Sequence, residues 1–400
     1  MGKNPYQKGS SSMNSRWNFI VVVMLFFLWA LAHNLNPILI PQLKQAFALS
    51  DFSATLVDSA FYLAYFLGAI PAGILIKRKG YKAGVLWGLL LFSIGAFLFY
   101  PAAVQLSYSI FLIGLFTIGF GITLLETSAN PLVTQFRFGS SDSFRLNLAQ
   151  SFNGLGASIA GWMGGYFVFG TTAENSAPSD LAQSVVAPYM VIGGVVMVVA
   201  LLFSRIKLDS KEGETKNHGN PFSRNYFRWA MMAQFFYVGA QVGLSGFFIR
   251  FLLIYFNWTK EDAAYLFSIA LILFMTGRFI GTFLLNWFSA RTLLGAASIL
   301  AVLCTVCLFF QWFGWLPILS VLFFMSIMFP TIFSLGVGSL PLSEKPLGSS
   351  LLIMTIVGGA ILPPLMGKLS DDWGLHWAMS LPLICFVVIF VFSMKKMNHE

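Results

Sequence analysis

The chain has 400 residues, of which 57% are hydrophobic and 10% are charged, whereas soluble domains average about 25% charged residues. So few charged side chains cannot cover the surface of a soluble protein of this length. The 43 Phe, 12 Tyr and 11 Trp residues also exclude a disordered chain. The composition therefore predicts an integral membrane protein.

The net charge of +9 does not indicate nucleic-acid binding, because the basic residues lie in short segments between apolar runs and do not form one basic face or arm. The three cysteines, Cys304, Cys307 and Cys385, all fall inside apolar segments. They predict neither a disulfide framework nor a metal centre.

Twelve apolar windows are long enough to cross a bilayer, which takes about 20 residues. We therefore predict an all-α integral membrane protein with twelve transmembrane helices. The windows are Trp17–Ile40, Thr55–Ile76, Ala83–Tyr100, Tyr108–Phe136, Asn147–Phe169, Val185–Phe203, Tyr226–Phe256, Ala263–Phe288, Leu293–Phe313, Leu316–Leu340, Leu347–Leu369 and Trp377–Met394.

The basic residues in the connecting segments predict the orientation. With the N-terminus inside, 19 of the 24 Lys and Arg residues fall in inner segments, and only Lys44, Lys260 and Lys368 fall in outer loops. Because basic residues concentrate on the cytoplasmic side, we expect both termini and the long middle loop to be cytoplasmic.

A polar run over residues 207–223 separates the first six windows from the last six and is typical of a flexible linker. We predict an N-terminal six-helix bundle over residues 1–206, a cytoplasmic linker over 207–224 and a C-terminal six-helix bundle over 225–400. The two halves repeat short patterns at an offset near 200 residues, which makes the bundles pseudo-symmetric and is typical of secondary transporters.

Glu126 is the acidic residue predicted to lie deepest in the membrane, about 16 Å from the inner boundary at Arg137. A carboxylate at that depth loses hydration, so that it can be neutral in one conformation and charged in another. Proton coupling is the functional interpretation, and a structural ion pair is the alternative.

Amide side chains accompany Glu126 on two neighbouring helices. Asn130 lies one helical turn after it, and Asn147, Gln150 and Asn153 follow each other at intervals of three on the fifth helix. Amides donate to and accept from sugar hydroxyls, so the pattern indicates a sugar site. Hydrogen bonding between helices is the alternative role for these amides.

The first helix adds aromatic and polar candidates, and its prolines predict a kink or an interruption, which in a membrane usually lines a cavity. These residues are Trp29, His33, Asn34, Asn36, Pro37 and Pro41. His33 is interpreted as a hydrogen-bonded structural group or as a proton relay.

The second half contributes Gln241 on the seventh helix and Thr331 on the tenth as polar candidates. Arg250 and Arg278 also fall within spans. We interpret both as residues that extend their charge toward the interface or pair across a gate.

Several segments resemble the fucose/galactose/glucose:proton symporters of the major facilitator superfamily. They are FFLWALAHNLNPILIPQL in helix one, LLETSANPLVTQF in helix four, FRLNLAQSFNGLG in helix five, FYVGAQ in helix seven, GRFIGT in helix eight and MFPTIFSLGVGSL in helix ten. The resemblance covers most of the chain. It implies the major facilitator fold of two six-helix bundles, alternating access and inward sugar transport driven by protons.

The resemblance also implies roles for individual residues. Glu126 matches the family's protonated carboxylate on helix four, and the positions that match cavity-facing residues are Trp29, Asn34, Gln150, Asn153 and Gln241.

Two positions depart from the family's pattern. The family has an acidic residue in helix one where this chain has Pro37, and a Tyr in helix ten where this chain has Phe329. Asp58, toward the outer end of helix two, is proposed to compensate for the missing acid by supplying protons to Glu126. A helix-capping role for Asp58 is the alternative.

We therefore expect a bacterial inner-membrane symporter for L-fucose or a related hexose. A uniporter, or a carrier of glucose, galactose or an amino sugar, is the first alternative, and a non-translocating sugar sensor is the second. The expected partners are a sugar, protons and membrane lipid, and we expect a monomer. No nucleotide-binding motif, catalytic pair or metal cluster is evident, so the sequence predicts neither an enzyme nor a cofactor.

Overall fold

The computed structural model describes residues 16–47, 51–136, 141–164, 178–206 and 219–396, and throughout these ranges the regular structure is helical. The predicted linker lies mostly outside the described residues, because the description resumes at Gly219.

Six helices form the first half of the chain. They are α1 (Arg16–Ala46), α2 (Asp51–Phe97), α3 (Phe99–Val104), α4 (Tyr108–Gln135), α5 (Asp142–Gly164) and α6 (Pro178–Arg205).

Nine helices and two short 3₁₀ helices, Pro221–Ser223 and Thr355–Val357, follow in the second half. The α-helices are α7 (Asn225–Phe256), α8 (Lys260–Leu284), α9 (Ala290–Phe309), α10 (Leu316–Met325), α11 (Met328–Gly338), α12 (Lys345–Met354), α13 (Gly358–Trp373), α14 (Leu375–Ala378) and α15 (Ser380–Met394).

Nine segments of the described chain are long and apolar enough to cross a membrane. One of them, Ala60–Val104, is too long for a single crossing and turns at Gly80, which has a φ of 80° that glycine adopts without strain. It therefore accounts for two crossings. With α1 and the 23-residue α5, which is about 34 Å long, the total is the twelve crossings that the sequence predicts.

The tenth crossing differs from the single predicted window, because it consists of α10 and α11 with a break at Ser326 and Ile327. Pro330 has no N–H, so the carbonyl of Ser326, four residues earlier, receives no helical hydrogen bond. The eleventh crossing is interrupted by the 3₁₀ turn Thr355–Val357, just before Gly358.

Pro37 and Pro41 predict a kink or an interruption of helix one, and the structure has no interruption there. The backbone is helical from Arg16 to Ala46 without a break. Prolines are tolerated inside transmembrane helices when neighbouring groups satisfy the freed carbonyls.

The chain divides into two compact units, Met1–Gly139 with Phe152–Asn217 and Ser140–Ser151 with His218–Glu400. The N-terminal part of α5 thus belongs to the second unit. The predicted domain boundaries at residues 206 and 225 stay a prediction.

Glycines determine the packing of α2 against α4 in the first unit. A Cβ on Gly95 would lie 2.7 Å from the Gly114 carbonyl oxygen, and a Cβ on Gly121 would lie 2.7 Å from the Gly88 carbonyl oxygen. Small residues at these four positions allow the two backbones to approach each other, as in other membrane helix pairs.

Glycines also determine the packing around α7 in the second unit. A Cβ on Gly239 would lie 2.1 Å from the Leu362 side chain on α13, and a Cβ on Gly358 would lie 2.2 Å from the Phe235 carbonyl oxygen. The α7 helix is therefore in close backbone contact with the eleventh crossing.

Segments predicted to be cytoplasmic meet within each unit. In the first, Lys82 Nζ donates to the Ser204 carbonyl oxygen over 2.8 Å. In the second, Arg224 Nε donates to Glu344 Oε2 over 2.9 Å. The basic segments therefore lie at one end of each unit, which is the arrangement that the charge distribution requires.

We expect Gly121→Ala to destabilise the protein by about 1–3 kcal/mol, the usual cost of an added methyl group in a tight contact. The reason is that its Cβ meets backbone atoms of Gly88 and Phe92 that cannot rotate away. Thermal unfolding of the purified protein in detergent measures the effect. Gly194→Ala is the matched control, since nothing lies within 4 Å of its Cβ, and equal unfolding temperatures for the two variants would contradict the prediction.

Candidate functional site

Glu126 lies in the middle of α4 and is 8% exposed. Its Oε1 accepts a hydrogen bond of 2.8 Å from the Tyr65 hydroxyl on α2. Within the described part of the chain no Lys, Arg or His forms a salt bridge with it. The described Lys, Arg and His residues therefore do not form the structural ion pair that is the alternative interpretation of Glu126.

The α2 face that bears Tyr65 also contacts α1. The ring of Phe61, one turn before Tyr65, meets the ring of His33 edge to face at a centroid distance of 5.5 Å. One face of α2 therefore links the first helix to the carboxylate on the fourth. His33 itself is exposed.

The α4 segment around Glu126 is polar on several sides and yet buried. Thr123, Thr127, Ser128 and Asn130 are all completely buried. The Thr123 and Ser128 hydroxyls donate to carbonyls four residues earlier in their own helix. Asn130 lies one turn beyond Glu126, as the spacing predicts.

Trp29, Asn34 and Asn153 lie where α1 and α5 meet in the first unit. Asn153 Nδ2 donates to the Phe26 carbonyl oxygen over 3.2 Å, and Asn34 Nδ2 donates to the Ala30 carbonyl oxygen over 2.8 Å. These bonds leave both amide oxygens without a partner in the described part of the chain, so each remains able to accept from a hydroxyl.

The Trp29 ring is 2% exposed and packs on Phe26 at a centroid distance of 4.3 Å. α5 approaches α1 closely beside these rings, because a Cβ on Gly156 would lie 2.4 Å from the Phe27 carbonyl oxygen. Glycine at that position therefore places Asn153 against the helix that contains Trp29.

The side chains of Asp58, Asn36 and Pro37 lie outside the described residues, although their backbone is helical. The proposed proton relay through Asp58 has no structural test.

Arg278 on α8 is a buried cation of the second unit. It is 5% exposed, and its Nε donates to the Ser326 carbonyl oxygen over 2.9 Å. This is the carbonyl that Pro330 leaves without a helical donor. The guanidinium therefore occupies the break in the tenth crossing.

The same guanidinium reaches α5 through Nη1, which donates to the Gln150 carbonyl oxygen over 2.8 Å. Its Cζ lies 4.8 Å from the centre of the Phe274 ring, a cation–π contact. The expectation that Arg278 extends toward the membrane interface is wrong, because its donors are used by two buried main-chain carbonyls.

The other α5 residues of the second unit also bond to α11. Asn147 Nδ2 donates to Thr331 Oγ1 over 3.2 Å, and the Ser143 and Ser334 hydroxyls lie 2.6 Å apart. Asn147 and Thr331 are thus bonded to each other. This agrees with the alternative role for the amides, which is hydrogen bonding between helices.

Two glutamines on α7 lie seven residues apart, and therefore on nearly the same face of the helix. Gln241 is half-buried. Gln234 is completely buried, and both of its amide atoms lack a hydrogen-bond partner in the described part of the chain. Tyr237 lies between them, with its ring 6.2 Å from that of Phe329.

Arg250 differs from Arg278, although both received the same interpretation from the sequence. Its Nη2 lies 3.5 Å from Asp371 Oδ1, and both side chains are exposed. Of the two interpretations given to these arginines, Arg250 therefore fits the one in which the side chain forms a pair.

No group of three or more His, Cys, Asp or Glu residues in the described part of the chain is placed to hold a metal ion. The chemistry available at the candidate site is that of one carboxylate, several amides and hydroxyls, and aromatic rings.

The sequence pattern of the Major Facilitator Superfamily matches residues 19–355. The chain belongs to the Major Facilitator Superfamily. Major facilitators are transporters, and the twelve-helix fold with two six-helix bundles predicted from the sequence is confirmed by this membership and by the solved structure described below.

This major facilitator is 42% identical to the L-fucose-proton symporter of Escherichia coli (strain K12), over 94% of this chain and 92% of that protein. It is 34% identical to the glucose/galactose transporter of Brucella abortus biovar 1 (strain 9-941), over 96% of each chain. A crystal structure of the E. coli fucose:proton symporter FucP superposes with a TM-score of 0.87 at 38% identity, covering 96% of this chain and 98% of that chain. The family resemblance inferred from the motifs is confirmed.

Three features of this major facilitator were missed by the sequence analysis. Tyr65 is the hydrogen-bond donor to Glu126, Gln234 is a buried amide, and Arg278 binds carbonyls. A hydroxyl-bearing ring inside an apolar span is a usable signal for Tyr65. The carbonyl partners of Arg278 have no sequence signal, since main-chain atoms are common to all residues.

We expect Arg278→Met to destabilise the protein by about 2–3 kcal/mol or more, since hydrogen bonds to charged groups contribute about 1.5–3 kcal/mol each. Arg250→Met, the matched control, removes an exposed ion pair and should cost about 0–1 kcal/mol. Thermal unfolding in detergent compares them. An Arg278→Met protein as stable as Arg250→Met would show that the carbonyl contacts do not hold the break.

Proposed function

We propose that this chain is a proton-coupled sugar transporter that takes up L-fucose or a closely related hexose by alternating access. Its similarity to the L-fucose-proton symporter of E. coli, at 42% identity over nearly the whole chain, supports the substrate class and the coupling ion. The excess of basic residues in the inner segments supports a location in a bacterial inner membrane, with both termini in the cytoplasm.

The single observation that carries the proton role is the pairing of the buried Glu126 with the neutral Tyr65 hydroxyl rather than with a cation. A carboxylate held by a salt bridge loses its partner's attraction on protonation, which opposes proton uptake. A hydroxyl that donates to a carboxylate also favours its ionised form, but less strongly than a cation does, and its charge does not change when the carboxylate is protonated. Protonation of Glu126 therefore costs less free energy than it would beside a cation, and proton uptake can be linked to sugar binding.

The sugar-binding role is proposed for six residues on four helices: Trp29, Asn34, Asn130, Gln150, Asn153 and Gln241. The free amide oxygens of Asn34 and Asn153 supply acceptors for sugar hydroxyls, and the nearby Trp29 ring supplies an apolar face for the sugar's C–H groups. The burial of Trp29 implies that the ring becomes accessible only when the surrounding helices move.

In the proposed cycle, protonated Glu126 permits sugar binding from outside, and the transporter then opens to the cytoplasm. Release of the sugar is followed by loss of the proton to the cytoplasm. Asp58 is proposed to pass protons toward Glu126, because Pro37 occupies the position of the family's acidic residue in helix one.

A second candidate substrate is glucose or galactose, which the similarity to the B. abortus glucose/galactose transporter favours. Phe329, in place of the Tyr that the family resemblance implies, removes a hydroxyl near Tyr237. One hydroxyl fewer in the wall of a sugar site changes which hexose it accepts.

Proteoliposomes with an inward proton gradient provide the test of substrate and coupling. We expect labelled L-fucose to accumulate, and external pH to rise on adding the sugar, since symport removes protons from the medium. D-galactose and D-glucose serve as the competing substrates. Uptake that only equilibrates, with no pH change, would establish a uniporter.

We expect Glu126→Gln to retain sugar exchange and lose gradient-driven accumulation, because glutamine keeps the hydrogen bond with Tyr65 but cannot titrate. Asp262→Asn, an exposed acid on α8, is the control and should behave like the wild type. The same assay applied to Asp58→Asn tests the relay, with slower accumulation expected. Accumulation at the wild-type level in Glu126→Gln would remove the carboxylate from the mechanism.

A further inference from the structure

A cavity of about 520 Å³ opens between α9 and α15, and none of the candidate sugar-site residues lines it. Its volume lies within the range of small-molecule pockets. Both helices belong to the second unit, and the cavity is at the end of that unit where basic segments gather.

One end of the cavity is polar and positively charged. It is lined by Ser289, Arg291 and Thr292 at the start of α9 and by Ser393 near the end of α15. Lys395 follows directly and holds its Nζ 4.5 Å from the centre of the Trp229 ring. No acidic side chain is among the described residues that line the cavity.

Hydrogen bonds hold the Arg291 side chain in place but do not occupy all of its N–H donors in the described part of the chain. Its Nε donates to the Ser393 carbonyl oxygen over 3.3 Å, and its Nη2 donates to the Met394 carbonyl oxygen over 3.2 Å. No carboxylate pairs with it in the described part of the chain, and Nη1 has no partner there. The guanidinium therefore offers two N–H groups to a ligand, together with a positive charge that no carboxylate among the described residues offsets.

The other end of the cavity is apolar. Ala296, Ile299 and Phe390 line it, and Ile299 is exposed. Thr292 and Ile299 are seven residues apart on α9, so the polar and apolar ends are separated by about 10 Å along the helix axis. Trp287 and Phe288, both exposed, lie just before the polar end, where aromatic residues mark the boundary between lipid and water.

We infer that this cavity binds an anionic phospholipid, with the phosphate on Arg291 and an acyl chain along Ala296, Ile299 and Phe390. Basic pockets between transmembrane helices on the cytoplasmic side recognise such headgroups. The apolar end distinguishes a lipid from free phosphate, which has no group to place there. The uncompensated charge distinguishes an anionic from a zwitterionic lipid. The inference is independent of the proposed sugar transport.

Native mass spectrometry of the full-length protein, from detergent micelles containing phosphatidylglycerol or phosphatidylcholine, tests the site. We expect wild-type protein to retain phosphatidylglycerol in preference to phosphatidylcholine. Arg291→Gln should retain it about fivefold less, the factor expected for one basic residue near an anionic headgroup. Arg228→Gln is the matched control, because it removes an exposed arginine of the same unit that does not line the cavity.

Ala296→Trp keeps Arg291 and fills the apolar end, so it should also lower phosphatidylglycerol retention. Thermal unfolding separates the sources of phosphate: phosphatidylglycerol should raise the unfolding temperature of the wild type more than that of Arg291→Gln, and inorganic phosphate should raise neither. Equal retention by Arg291→Gln and Arg228→Gln, equal retention of the two lipids, or equal protection by inorganic phosphate would each overturn the inference.

Discussion

Hydrocarbon offers no hydrogen bonds, so every polar group placed inside this protein depends on another part of the protein for a partner. That constraint explains the contacts around two of its buried charged residues. Glu126 is bonded to a tyrosine hydroxyl, and Arg278 is bonded to two carbonyl oxygens. In both cases the partner is neutral, and neither residue pairs with an opposite charge in the described part of the chain.

The neutral partners have a functional consequence. Two buried opposite charges hold each other in one ionisation state, because removing either leaves the other uncompensated. A hydroxyl and a carbonyl impose no such restriction. A transporter that takes up and releases a proton in each cycle needs a carboxylate that can change its charge, whereas a permanently charged guanidinium is suited to holding backbone in place.

Backbone irregularities and buried polar side chains occur at the same places for one physical reason. Pro330 frees the Ser326 carbonyl, and the freed carbonyl is what Arg278 binds. The second carbonyl, that of Gln150, lies on the helix that also contains Asn153. A single side chain thereby connects the break in the tenth crossing to the helix that contains Asn147, Gln150 and Asn153.

Local patterns sufficed for much of the architecture. Run length gave the twelve crossings, since bilayer thickness sets the length of an apolar helix. The local sequence could not decide whether Pro37 and Pro41 interrupt helix one, because tolerance of a proline depends on neighbours that the local sequence does not contain. Arg250 and Arg278 looked equivalent for the same reason, although one is exposed and ion-paired and the other is buried against carbonyls.

The sequence by itself determined the membrane class, the crossings, the family and the carboxylate at position 126, because hydrophobicity and spacing are properties of a chain read in order. The tertiary structure alone decided that Tyr65 donates to Glu126, that Arg278 binds main-chain carbonyls, and that a basic cavity opens beside α9. Each of these depends on which residues from distant parts of the chain become neighbours, and that is fixed by helix packing through contacts such as Gly88 with Gly121.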